Sequence, residues 1–104
     1  MIAILKKIFG LGPSVNYRSL VDNGAVILDV RSKAEFQSGH IPGSKNIAVN
    51  ALTANLKKLD KNKTIITCCA SGMRSASAKT MLKSNGFNEV HNGGSWQGLM
   101  NKIS

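Results

Sequence analysis

Acidic and aromatic side chains are scarce in this 104-residue chain: 5 Asp and Glu stand against 14 Lys and Arg, and 5% of positions are aromatic. The core must therefore come from Ile, Leu, Val and Ala, with Phe9, Tyr17, Phe36, Phe87 and Trp96 as the only aromatic candidates. Cysteine is limited to two neighbours, Cys68 and Cys69. Adjacent Cα atoms lie about 3.8 Å apart, below the roughly 4.4–6.8 Å of a disulfide, so a bridge between them would be strained. Free thiols fit a reducing compartment. The clustered Cys/His spacing of a zinc site is missing, and no metal or cofactor is expected. His40, in a turn, and His91, near a strand end, read as structural.

No apolar run reaches the ~20 residues of a membrane span. The N-terminal stretch Met1-Ile2-Ala3-Ile4-Leu5-Lys6-Lys7-Ile8-Phe9 is apolar but brief. Its lysines follow the apolar residues, the reverse of a secretory signal. Residues 1–14 are expected to form an arm or short helix packed on the domain, without stable membrane insertion. Weak membrane contact is the alternative, and the cytoplasm is the default compartment. Repeats and low-complexity segments are lacking too. The net charge of +9 favours steering of anions. The lysines are scattered, with no dense basic run interleaved with aromatics, so a nucleic-acid partner is not expected.

The length suits one domain, placed at residues 15–104. Ala25-Val26-Ile27-Leu28-Asp29-Val30 reads as a strand buried on both faces, as does Thr64 to Cys68. Lys45 to Val49 and Glu89-Val90-His91 read as brief strands. Tyr17 to Asp22, Thr53 to Leu59, Arg74 to Asn85 and the segment from Trp96 to Ile103 read as helices. Ser32 with Glu35 has capping-box spacing, Gly86 is a helix stop, and Gly93-Gly94 is expected to turn the chain. Strand–helix alternation gives an α/β fold with a mostly parallel sheet. In such sheets ligands gather beyond the carboxyl ends of strands, where Asp29 and Cys69 both fall.

Cys69-Ala70-Ser71-Gly72-Met73-Arg74-Ser75 joins the second buried strand to a helix. A helix N-terminus presents orphan N–H groups and partial positive charge, which favour a thiolate. The loop thus reads as a reactive cysteine handling an anionic group. Three stretches together resemble the single-domain rhodanese family of sulfurtransferases. They are Leu28-Asp29-Val30-Arg31 with Glu35-Phe36 and Gly39-His40-Ile41-Pro42-Gly43-Ser44, then the C-x-x-G-x-R-S loop from Cys69, then Gly93-Gly94-Ser95-Trp96. The resemblance implies about five mostly parallel strands flanked by helices on both faces. It also implies a Cys69 persulfide, loaded by a donor such as thiosulfate and unloaded onto cyanide, a thiol or a protein thiol.

On this reading Cys69 is the nucleophile, and Ala70, Ser71, Gly72, Met73 and Arg74 bind the small anionic donor. Arg74 either contacts the ligand or braces the loop. Asp29, Arg31 and Ser75 are supporting residues, and Cys68 is a buried small hydrophobe. Two rivals are weighed. Counted from Cys68 the loop reads C-x5-R-S, the spacing of a cysteine-dependent phosphatase or arsenate reductase, though Thr67 precedes it where those phosphatases usually have His. The other rival is a non-catalytic sulfur carrier or partner-binding module.

Overall fold

The computed structural model describes residues 14–104, and the expected arm over residues 1–14 lies almost wholly outside that range. The α/β fold with a parallel sheet is as expected, and the sheet has four strands among the described residues where about five were expected. In chain order they are β1 (Val26–Asp29), β2 (Lys45–Asn46), β3 (Ile65–Cys69) and β4 (Val90–Ser95), and in space they run β2-β1-β3-β4. The helices are α1 (Tyr17–Asp22), α2 (Lys33–Ser38), α3 (Met73–Ser84) and α4 (Trp96–Ile103). The segment expected to be a helix from Thr53 to Leu59 is 3₁₀ instead, over Thr53–Lys58, with a kink at Asn55.

Side chains on a strand alternate between faces, and the central strand β3 sorts its residues accordingly. Ile65 and Cys69 join Leu28, Val30, Leu52, Ala78, Leu82 and Phe87 on the face covered by α3 and the 3₁₀ segment. Ile66 and Cys68 join Ile27, Ile41 and Leu99 on the face covered by α1 and α4. Both faces are thus covered by helices, as expected. Leu28, Leu52, Ile65, Ile66, Leu82 and Leu99 are fully buried, each contributing roughly 1.5–3 kcal/mol by removal from water.

The segment Gly93-Gly94 does not turn the chain; it lies within β4. Thr67 pairs with Asn92 and Cys69 with Ser95, so β4 carries one extra residue there, a bulge. Gly93 is required by space: a Cβ would stand 2.9 Å from Leu99 Cδ2 and 3.0 Å from Ile66 Cγ2 and from the Thr67 carbonyl. Gly94 supplies the positive φ of +82° that the bulge needs. Trp96 packs against the core cluster of Ile27, Ile41, Ile66 and Leu99, with the Arg31 guanidinium over its ring, 4.8 Å from the ring centre.

Candidate active site

The C-terminal ends of β1 and β3 are neighbours in the sheet, with Asp29 opposite Cys68. Beyond them the chain from Ala70 climbs to α3, whose N-cap residue Gly72 is in a left-handed conformation, φ +100°. No side chain caps α3. Its free N–H groups turn instead to Cys69: Gly72 N donates to Sγ at 3.0 Å and Ser75 N at 3.4 Å. Ser75 Oγ lies 3.4 Å from the same sulfur. The residue itself is 1% exposed, so the sulfur sits at the floor of the loop. Burial pushes the thiol up, but the hydrogen bond with the Ser75 hydroxyl and those from the N–H groups of Ser75, Gly72 and Ser71 outweigh it, and the net shift is downward. Of the loop residues, Ala70, Ser71 and Met73 form an exposed rim, with Met73 80% exposed.

Cys68 is the opposite case. It points to the α1 and α4 face among Ile27, Ile41, Ile66 and Leu99. Burial there, with Asp29 nearby, pushes its thiol up to about 12. The C-x5-R spacing therefore begins at a sulfur on the far side of the sheet from the loop amides. The same pleat keeps Cys68 from acting on Cys69 as a resolving thiol, and both cysteines are free.

Arg74 braces. Its Nη1 and Nη2 grip Glu35 Oε1 and Oε2 at 2.7 and 3.0 Å, a two-pronged fork. The Arg74 bond, followed by the Ser32 backbone, holds the Glu35 carboxyl down at about 2. Glu35 also closes the expected capping box of α2, accepting from Ser32 N while Ser32 Oγ accepts from Glu35 N. One carboxylate thus ties α2 to the start of α3. A cleft of about 320 Å³, lined by Val30, Ser32, Ala48, Val49, Asn50 and Arg74, adjoins the loop on this side.

Asp29 and Arg31 act on each other rather than on the sulfur. Arg31 Nε donates to both Asp29 oxygens at 3.0 Å and Nη2 to Oδ2 at 2.7 Å. Nη2 and Nη1 also donate to the Gly39 and Glu35 carbonyls, at 2.6 and 3.2 Å. This buried pair pins the segment after β1 against α2. His40 stacks on Phe36 with ring centres 3.7 Å apart and bonds its carbonyl, the structural part expected of it. His91 pairs with Glu89 at 2.7 Å.

One residue that the sequence reading passed over is Asn92. Its Oδ1 receives Ser75 Oγ at 2.6 Å and Gly94 N at 3.0 Å, and its Nδ2 donates to the Gly72 carbonyl at 3.2 Å. The signal for it was its place just before Gly93-Gly94, across the sheet from Thr67. Among the described residues no group of His, Cys, Asp and Glu is arranged to hold a metal ion. No helix among them is long and apolar enough to cross a membrane.

Comparison with known proteins agrees with this architecture. Residues 15–102 match the family model "Rhodanese-like domain". The thiosulfate sulfurtransferase GlpE of Pseudomonas savastanoi pv. phaseolicola is 34% identical over 79 residues, covering 76% of this chain and 74% of that protein. The putative sulfur carrier protein YrkF of Bacillus subtilis is 37% identical over 71 residues, 68% of this chain and 38% of that one. Among solved structures, the human single-domain sulfurtransferase TSTD1 superposes with a TM-score of 0.73 at 29% identity, covering 84% of this chain and 91% of that one. The chain belongs to the rhodanese-like domain family, and relatives it matches are sulfurtransferases.

Proposed function

We propose that this chain transfers sulfane sulfur through a persulfide on Cys69, with thiosulfate as the donor. The Cys69 thiolate attacks the outer sulfur of thiosulfate. A new S–S bond forms, the bond to the sulfonate sulfur breaks, and sulfite leaves with the electron pair. The persulfide anion is then attacked at its outer sulfur by cyanide, a thiol or a protein thiol, which carries that sulfur away and regenerates the thiolate. The amides from Ala70 to Arg74 hold the anion in both steps, and removing one such donor costs about 2.7–4 kcal/mol in comparable sites. Arg74 acts on the donor through the loop it braces, and its guanidinium edge on the cleft contributes positive potential. Asp29, Arg31 and Ser75 support the loop. The two free thiols suit a reducing compartment, and we place the reaction in the cytoplasm.

The observation that carries this reading is the convergence of Gly72 N, Ser75 N and Ser75 Oγ on one sulfur at the start of α3. It is tested by incubating the chain with thiosulfate and mapping the modified cysteine by mass. One sulfur atom should be gained on Cys69, lost again to cyanide as thiocyanate, and never gained by Cys69→Ser. No gain, or a gain on Cys68, overturns it. A second reading, a carrier that discharges to a protein thiol, is favoured by Met73, an apolar side chain left 80% exposed on the loop rim. In that case transfer to cyanide is slow beside transfer to the protein.

A further inference from the structure

Ser75 has one hydroxyl proton and two acceptors within reach. The orientation of the Asn92 amide is settled by its partners. Gly94 N–H can only donate, so the atom 3.0 Å away is Oδ1. The Gly72 carbonyl can only accept, so the atom 3.2 Å away is Nδ2. Ser75 Oγ, 2.6 Å from an oxygen that bears no hydrogen, must therefore donate to it. Its lone pairs are then left facing Cys69 Sγ at 3.4 Å. That arrangement accepts a thiol S–H but repels a thiolate.

We propose that Asn92 is a positioning residue for the sulfur chemistry, its Oδ1 competing with Cys69 Sγ for the Ser75 proton and so deciding when that hydroxyl donates to the sulfur. In the resting thiol the order is S–H to Oγ, then O–H to Oδ1. When the sulfur gives its proton to solvent, the Ser75 hydroxyl turns about Cβ–Oγ and donates to Sγ, while Oδ1 keeps the Gly94 N–H. No covalent bond changes in that turn. When the charge moves one atom outward on sulfur loading, the hydroxyl returns to Asn92. The placement follows from the regular pairing of β3 with β4 up to this point: opposite Thr67, the Asn92 side chain lies on the α3 face, and Tyr17 Oη holds its carbonyl at 3.1 Å. The other charged groups around the cluster are already engaged, Arg74 with Glu35, Arg31 with Asp29 and His91 with Glu89, and Cys68 faces away.

This inference rests on Cys69 as the reactive thiol. The test is the pH dependence of iodoacetamide alkylation in the full chain, with the modified cysteine mapped by mass. Asn92→Leu frees the Ser75 proton for the sulfur, and the midpoint should fall by about one pH unit, the scale of one hydrogen bond to a charged group. In a Ser75→Ala background the same substitution should no longer lower it. A midpoint that rises or stays put with Asn92→Leu, or that falls equally in both backgrounds, overturns the proposal, because a plain loop clamp would not depend on the hydroxyl. If Asn92→Leu fails to fold, Asn92→Asp serves. Its carboxylate holds the Ser75 proton more firmly and adds negative charge, so the midpoint should rise, and an unchanged or lower midpoint counts against us. Should the wild-type chain be alkylated at Cys68 or at neither thiol, the reading of Cys69 itself falls. Should Cys69 react with uncoupled midpoints, only the role of Asn92 falls.

Discussion

An alkylating reagent at pH 7 should modify Cys69 and spare Cys68 in the folded chain, although the two sulfurs are adjacent in sequence. The Cys68 thiol is pushed up to about 12, so about 10⁻⁵ of molecules carry it as the reactive thiolate at neutral pH. Cys69 is held below the ordinary thiol value of 9.0, so more than about 10⁻² of molecules carry that thiolate. Ionisation alone then separates them by about 10³ or more; burial does not separate them, the two residues being 0% and 1% exposed. The assay is a limited pulse of iodoacetamide followed by intact mass and peptide mapping. Cys69→Ser should abolish the rapid phase, and Cys68→Ala should leave it in place. In denaturant the two thiols should react alike, since the difference belongs to the fold. Native labelling of Cys68 at a rate within about tenfold of Cys69 would refute the ionisation argument.

Three further outcomes follow from the packing and the ion pairs. Gly93→Ala forces a methyl against Leu99, Ile66 and the Thr67 carbonyl; it should cost about 1–3 kcal/mol, read as a lower urea midpoint at unchanged slope, and a neutral variant would mean that β4 can shift. Asp29→Asn leaves the Arg31 guanidinium, 4% exposed, without its counter-charge; a loss of about 3–5 kcal/mol in chemical denaturation is expected. The Glu35 carboxyl is lowered from 4.5 to about 2, so its contribution to stability is full above pH 4.5 and is lost as the pH falls through about 2. The advantage of wild type over Glu35→Gln should therefore fade over that acid range and weaken with salt, the side chain being 39% exposed; a difference that stays flat with pH would count against the Arg74 clasp.

Local patterns made much of this legible before any coordinates. The run from Thr64 to Cys68 specified a strand buried on both faces, which the structure extends to Cys69, and the Ser32 and Glu35 spacing specified a cap that formed as expected. The period-two rule separated the two thiols. What escaped was non-local. Glu35 and Arg74 lie 39 positions apart, and nothing in either neighbourhood marks a carboxylate as shared between a cap and a fork. Asn92 reaches Ser75, 17 positions away in sequence, through the strand pairing that sets it opposite Thr67, and two glycines in a row look the same in a turn as in a bulge. The 53–58 segment has the leucine spacing of an α-helix, yet Leu52 and Leu59 are both drawn down onto the sheet, and the shorter 3₁₀ path meets that demand. The strand count was inferred from resemblance, not from periodicity, and is the part of the fold reading that the described residues trim.

The back-to-back sulfurs have a consequence for how this loop can vary. Inserting or deleting a single residue within β3 would rotate every following side chain through half a turn. With the change placed ahead of Cys68, the sulfur now under the loop amides would be driven among isoleucines, and its neighbour would be delivered to the amides one position further from Arg74. Paired cysteines at the tip of a strand thus give the chain a spare nucleophile that a one-residue frame change, with no new side-chain chemistry, would bring into use on a loop of different girth.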